Sequence, residues 1–596
     1  MNIIDRKARL KARRLVRKQK RQAEALAVQA DDDINRLFLK RFSRLFAVRR
    51  FVIVWTLLVF MLGAGAMWQV RGMDVYYLTT SPVSGGVYRE GIVGAFTNAN
   101  PLFATSSVDA SVSRLLFSGL FKVSPNGDVV NDLATDLQID DQAKVYTVSL
   151  RNDVTWHDGE PFDADDVLFT YNAIKNPAVR SPLRSSWRGV EVTKVDQYTI
   201  QFELPNALSS FRLALVNGIV PEHILSEEDP EDLRSASFNT IEAIGTGPFT
   251  LRTLEVDGID ADTRQERIAL ARNDTFHDVV PGLDSVVIRA YRTEDAMLKD
   301  FEERIIQSMV GLTSVSETLL EMEDVTLINA PLASSVMVFM NNSVAALSDA
   351  KVRQALSYAT DVEDIQSSLG FRAVPSNSPF LRSQFAYDPD IVQVGFDVEK
   401  ANQLLDEAGW VRGEDGMRTK DGQPLRLRLV SQSLSEYAVI AQRIQEDWDV
   451  VGVRVEAILQ PEEDIQAGAI ARHDYDVLLY GISIGYDPDV FAYWHSSQAD
   501  PNSPTRLNLS EYKNDIADEA LEAGRTRVDE ELRKVKYTPF LAVWRDEAPA
   551  VALYQPRFLM VVRGTFEGFE NGQLSSATDR YWSISDWRVR NAQVVK

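Results

Sequence analysis

Leu425–Tyr480, LRLRLVSQSLSEYAVIAQRIQEDWDVVGVRVEAILQPEEDIQAGAIARHDYDVLLY, decides the fold. Leu425, Leu427 and Leu429 alternate with arginines, the period of a strand. Leu434, Tyr437, Ala441, Ile444 and Trp448 then recur at helical spacing, and Val453, Val455 and Leu459 return to a strand. A short helix over Glu462–Ala471 and a buried strand at Val477–Tyr480 extend the unit to βαβαβ, which implies a parallel sheet with right-handed crossovers. Such sheets bind ligands beyond the carboxyl ends of their strands, so the informative loops are Ser431–Ser433 and Gly481–Trp494.

The second loop opens with Gly481-Ile482-Ser483-Ile484-Gly485, the spacing of a serine-hydrolase nucleophile elbow. An elbow turns straight into a helix, whereas Tyr486-Asp487-Pro488-Asp489 reads as a turn, and no histidine follows His495. An exported serine hydrolase using this segment is therefore the alternative to a binding site here. The five histidines are scattered without metal-ligand spacing, Gly245-Thr246-Gly247-Pro248 lacks the third glycine of a dinucleotide fingerprint, and no Gly-Lys pair exists for a Walker A loop. Gly245–Pro248 reads instead as a tight crossing between lobes. No catalytic residue, metal or cofactor is expected. Trp187, Tyr480, Tyr486, Tyr493 and Trp494 lie in or beside loops, where aromatic rings suit a ligand cleft as well as a core.

Further towards the N-terminus, Tyr146, Val148 and Leu150, then Tyr198, Ile200, Phe202 and Leu204, alternate as strands, with a helix over Ala164–Asn176 that Pro177 ends. The chain has 596 residues, 45% hydrophobic and 25% charged, enough for about three structural units. Cysteine is absent, which excludes disulfides, thiol chemistry and a lipidated N-terminal cysteine. Two sequons, at Asn341 and Asn508, carry no assigned role.

Charge divides the chain. Residues 1–50 hold 16 Lys and Arg against 5 Asp and Glu, leaving 48 against 81 in the remainder. So acidic a body repels nucleic acid, and none is expected as a partner. Phe51–Val70 is 20 residues without a charge, long enough to cross a bilayer as a helix. Arginines on its N-terminal side place the arm 1–50 in the cytoplasm and the body outside. A signal peptide cleaved after Ala66 is the competing reading; the long basic arm favours a single-pass anchor. Asp31-Asp32-Asp33 reads as a turn and cap before an interfacial helix carrying Leu37, Phe38, Phe42, Leu45 and Phe46, and residues 71–86 as a tether.

Several stretches in order resemble the family 5 extracellular solute-binding proteins of ABC importers, the group of oligopeptide-, dipeptide- and nickel-binding proteins. They are Leu115–Leu120 (LLFSGL), Tyr146–Asn172 (YTVSLRNDVTWHDGEPFDADDVLFTYN), Gly245–Phe249 (GTGPF), Phe339–Asn342 with Asp349–Thr360 (DAKVRQALSYAT), and Asp487-Pro488-Asp489 with Trp494-His495-Ser496-Ser497. The similarity covers about residues 87–565.

The resemblance implies an α/β, two-lobed type II periplasmic-binding-protein fold with a cleft between lobes. Lobe I with its extra subdomain would take residues 87–340, lobe II 341–549, and a return segment 550–596. It further implies a monomer that captures a peptide and passes it to permease subunits driven by separate ATPases, or, as another alternative, a peptide sensor of the same fold. Ser118, Gly119, Leu120, Arg184 and Trp187 would line the cleft from one lobe, and Tyr480, Ser483, Gly485, Tyr486, Asp487 and Trp494 from the other. Where peptide binders of the family hold the ligand's α-ammonium with an aspartate, this chain has Gly485, and Asp487 is the expected substitute.

Overall fold

The computed structural model describes residues 3–34, 48–258, 264–312, 314–371, 373–500 and 506–595. They form two compact units, Met1–Ser81 with Asn591–Lys596, and Pro82–Arg590.

In the first unit a helix spans Ile3–Ile34 and a second Arg49–Tyr77, and the strand Leu78–Val83 pairs with Arg590–Val595. Two expectations change here. Asp31–Asp33 lie in the last turn of the first helix, because the Ala-, Arg-, Lys- and Leu-rich run before them favours helix strongly enough to carry through. Residues 71–83 are not an irregular tether: helix continues to Tyr77 and a strand follows, supplied with a partner from the far end of the chain that local sequence cannot reveal. The interfacial helix expected around Leu37–Phe46 falls outside the described residues. Arg49–Gln69, with a mean hydropathy of 2.1, is long and apolar enough to cross a membrane.

The second unit is built on two large sheets. Seven strands run in the order Val325–Pro331, Arg557–Arg563, Ser308–Val310, Val87–Val93, Ser285–Tyr291, Gln265–Arg272 and Phe249–Asp257. An antiparallel four-stranded sheet, Ala134–Ile139, Val145–Leu150, Thr199–Glu203 and Glu191–Asp196, completes this first lobe. It carries the predicted helix, Ala164–Lys175, whose N-cap Asp163 forms a capping box with Asp166; losing that cap would cost about 1 kcal/mol.

The second lobe is a six-stranded sheet, Val374–Pro375, Ala550–Gln555, Ser334–Met340, Val477–Ser483, Arg426–Gln432 and Arg454–Gln460. Its last three strands are parallel, with the helix Ser435–Val450 crossing between the final two, as the βαβαβ pattern predicts. Ser334–Met340 is apolar without alternation because both faces are covered: Val336, Val338 and Met340 enter one core, Met337 and Phe339 the other.

Chain crossings between lobes occur at Pro331–Ser334 and Gln555–Arg557. Ser334–Met340 and Ala550–Gln555 therefore belong to the second lobe, not the first. The two crossings lie side by side: Leu332 N–H donates to the Pro556 carbonyl at 2.9 Å.

Gly245–Pro248 is not a crossing. It lies inside the first lobe against the end of the helix Ser107–Leu116, where a Cβ on Gly245 would stand 1.8 Å from the Leu116 carbonyl oxygen. His157 staples it from the other side: Nδ1 accepts from Gly245 N–H and Nε2 donates to the Gly247 carbonyl, both at 3.1 Å. Only a neutral imidazole serves both bonds. Burial pushes the His157 pKa down from 6.5 to about 4, with the Gly247 bond pulling weakly the other way.

Because the fold disfavours protonated His157, its contribution to stability is complete above pH about 6.5 and is withdrawn as pH falls towards about 4. Asp166, pushed up by burial to about 6, has the opposite slope, since the fold favours its protonated form. In chemical denaturation across this range, His157→Gln is expected to remove an acid-side loss of stability that the unsubstituted chain shows, while the Asp166 slope remains in both.

Candidate functional site

The strand Val477–Ser483 ends at the crossing. Ile484 and Gly485 both donate their N–H groups to the Ala333 carbonyl at 2.9 Å, and Gln384 Nε2 donates to the Gly485 carbonyl at 3.0 Å. Gly485 turns with φ of 78°, a left-handed conformation that favours glycine. This turn sends residues 486–489 across to the first lobe.

Tyr486 makes the connection. Its hydroxyl lies 3.0 Å from Asp579 Oδ2 and 3.1 Å from the Gln573 carbonyl, and accepts from Ser575 N–H at 3.1 Å. Burial, then the Asp579 charge, holds this phenol far above its usual pKa, so it stays a donor. Asp579 also accepts from the N–H groups of Ser575 and Ser576, in a capping box at the start of Ala577–Asp586.

Asp487 and Asp489 are neutralised from within the second lobe. Arg533 grips Asp487 with two bonds of 2.6 and 2.8 Å while its guanidinium lies over Phe385 at 5.0 Å. Arg525 meets Asp489 at 3.0 Å, stacks over Phe491 at 4.1 Å, and Ser210 from the first lobe adds a bond of 3.3 Å to the same carboxylate oxygen. Desolvation nevertheless raises the Asp489 pKa.

Between these groups lies a cavity of about 470 Å³ with Arg114, Ser210 and Asp579 on one wall and Gly485, Tyr486, Asp487 and Asp489 on the other. A second cavity, about 450 Å³, adjoins it past Tyr486, Asp487 and Ser210 and includes Asp128, Arg212 and Glu530. Both cavities are lined by the loop that follows the strand Val477–Ser483, the region to which the strand-end argument points.

Of the residues the sequence reading singles out, Gly485, Tyr486 and Asp487 line this cavity. The others are not brought to this cavity. Trp187 is buried in an aromatic cluster, 4.1 Å from Tyr171 and 5.4 Å from Phe211 between ring centres, because this loop packs back onto the four-stranded sheet. Arg184 is exposed and caps the Lys175 carbonyl. Trp494 is buried between Phe339 and Trp544, and Tyr480 is half-buried with its hydroxyl bonded to Gln466.

Gly119 forms a bridge to Gly218, Leu120 is fully buried, and Ser118 lines a separate cavity of about 260 Å³. Ser483 is exposed, and the chain after it is not helical until Phe491. His495 faces Ser497 at 2.8 Å and Glu522 at 3.4 Å, not Ser483, so the elbow geometry is absent. The sequon asparagines are internal: Asn341 bonds the Tyr475 carbonyl, and Asn508 those of His495 and Tyr512.

Residues that the sequence reading missed are Arg114, Ser210, Asp579 and the paired Arg525 and Arg533. Ser576-x-x-Asp579 carries a capping signal that local pattern could have flagged; the arginines carry none, since their partners are 36 and 46 residues away.

Comparison with known proteins decides what the cleft belongs to. Residues 128–503 match the model for "Bacterial extracellular solute-binding proteins, family 5 Middle". The chain belongs to this family. It is 27% identical over 505 residues to the oligopeptide-binding protein AppA of Bacillus subtilis, covering 82% of this chain and 90% of that one. The structure of that AppA with a nonapeptide has a TM-score of 0.68 and covers 86% of this chain and all of the other. NikZ of Campylobacter jejuni, solved with Ni(L-His), reaches 0.70 at 26% identity, over 84% and 99% of the two chains. The type II periplasmic-binding-protein fold follows.

Arg533→Met is expected to cost about 2 kcal/mol by leaving the half-buried Asp487 carboxylate without its partner, and Asp487→Asn in the same chain should recover much of that loss. Thermal denaturation of the two single variants and the double variant measures the coupling; additive losses would show that the pair is not a unit.

Proposed function

We propose that this chain is the substrate-binding component of an ABC importer, capturing peptides outside the membrane and delivering them to a permease with separate ATPase subunits. The observation that carries this reading is the cavity between the parallel strand ends and the first lobe, in a chain similar over most of its length to a protein solved with a nonapeptide. A site of this kind needs no reacting group. It holds its solute with a few fixed polar groups and apolar walls, and closure about the two adjacent crossings would signal occupancy to the permease.

Native mass spectrometry of the full chain in mild detergent, purified without refolding, tests the ligand class. Heterogeneous peptide-sized adducts are the expected result. A single non-peptide adduct, or none, would remove the peptide assignment and leave the family standing.

Our reading of the N-terminus is a single-pass anchor with a cytoplasmic basic arm and an extracytoplasmic body that acts as a monomer. Its support is the uncharged stretch within Arg49–Gln69 and the arginines preceding it. The cysteine-free chain gives a clean background for labelling. In intact cells a membrane-impermeant maleimide is expected to modify Ser84→Cys, an exposed position in the acidic body, and to spare Lys11→Cys until the membrane is opened. Equal labelling of both, or loss of the arm from the mature protein, would replace the anchor with another arrangement.

A further inference from the structure

We infer that the N-terminal helix Ile3–Ile34 is a lipid-binding element whose partner is an anionic membrane surface, met by its basic and apolar sides together. The inference rests on the anchor reading above for bringing the arm to a bilayer, and on nothing about the peptide cleft.

The stretch from Lys11 to Ala27 sorts by side when it is wound at about 3.6 residues per turn. Ala12, Leu15, Val16, Ala23, Leu26 and Ala27 fall within about a third of the circumference, interrupted by Gln19. Seven of the eleven residues from Lys11 to Arg21 are Lys or Arg, and all seven lie on the remaining arc with Ala25 and Val28. Both sides are open to solvent. Leu15 is 60% exposed, Val16 63% and Leu26 67%. Among the described residues the basic side meets one acid, Glu24 of the same helix, 3.9 Å from Lys20.

A basic side alone would suit any polyanion, and the apolar side decides between them. On a nucleic acid Leu15, Val16 and Leu26 would stay in water. At a lipid interface they enter the acyl boundary, while the Lys and Arg at the margins extend their stems to the headgroup phosphates. Proximity favours the same partner. This helix ends at Ile34 and the apolar one begins at Arg49, and the chain between them, even fully extended, reaches at most about 50 Å. With Arg49–Gln69 in a bilayer, the arm is therefore held within about its own length of the surface. Asp31–Asp33 repel anionic lipid, so the contact is strongest over Lys11–Arg21 and weakens towards Ile34.

The test uses the cysteine-free full chain reconstituted in lipid nanodiscs. Single cysteines carry an environment-sensitive fluorophore at Leu15→Cys, Leu26→Cys or, on the basic side, Glu24→Cys, and accessibility is read with acrylamide, a neutral quencher. In discs containing phosphatidylglycerol, quenching of the Leu15→Cys label is expected to fall at least about threefold below that in phosphatidylcholine discs, with a smaller fall for Leu26→Cys and none for Glu24→Cys. The difference should shrink at about 0.5 M salt. Arg13→Gln, Arg17→Gln and Arg21→Gln together should abolish it without moving the melting temperature of the body.

Equal quenching of the Leu15→Cys label in the two lipids would overturn the inference. So would protection by transfer RNA that anionic discs do not give, which would make the arm a nucleic-acid binder. Both leaflets of a disc are open, so the orientation in the cell does not enter. A chain that stays with anionic discs but not with phosphatidylcholine discs would sink the membrane-spanning reading and keep the lipid-binding arm; one that stays with neither would sink both.

Discussion

The cleft depends on the backbone of Ala333. This residue is fully buried at the first crossing between lobes. Its carbonyl accepts from both Ile484 and Gly485, and its N–H donates to the Leu574 carbonyl at 2.6 Å. One peptide unit thereby joins the crossing, the loop that forms one wall of the cavity, and the return segment that leads to Asp579 on the other. Leu332 beside it ties the second crossing through Pro556. A rotation of the lobes about these crossings must pass through the same few dihedrals that set the position of Tyr486. The wall and the pivot are therefore mechanically one object, which explains how a small solute can bias the arrangement of two large sheets.

Tyr486 shows how such closure can be specific without being strong. Its ring reaches from the second lobe to a cradle of Asp579, Ser575 and the Gln573 carbonyl, all supplied by the return segment. The two neutral bonds contribute about 1 kcal/mol net each and the bond to the Asp579 carboxylate about 2 kcal/mol, so this set is a tie of only a few kcal/mol between the lobes. Ser210 to Asp489 and Ser209 N–H to the Arg525 carbonyl, at 2.9 Å, add two more ties of the same order. The remaining bias is available for a ligand to supply, which is the condition for occupancy to be read as shape.

Much of the framework was legible because it is local. The alternation at Leu425–Leu429 and the stripe through Tyr437, Ile444 and Trp448 predict their strand and helix, and the strand-end rule leads to Gly485–Asp487. The failures share a cause. Trp187 and Trp494 are aromatic and near loops, but whether a ring faces a cleft or a core is set by strands and helices far away in sequence, here Phe202 and Phe211 for one and Phe339 and Trp544 for the other. Asp487 lines the cavity, but nothing near it in sequence announces that Arg533, 46 residues on, will bond both its oxygens. Type and position were readable; partnership was not.

The last consequence concerns charge at two length scales. Outside the basic arm the chain carries 81 acidic against 48 basic residues, which argues for attraction of cationic solutes. That field is screened beyond about 8 Å at physiological salt, and it is an average over a surface. Inside the cavity the count that matters is of charges not already paired. Arg533 and Arg525 cancel the two nearest carboxylates, while Asp579, whose three bonds all fall on Oδ2, and Arg114 line the same cavity as one anion and one cation, neither in a salt bridge among the described residues. The wall of the cavity is thus close to neutral in a strongly acidic body, and the local field follows from which pairs form during folding, not from composition.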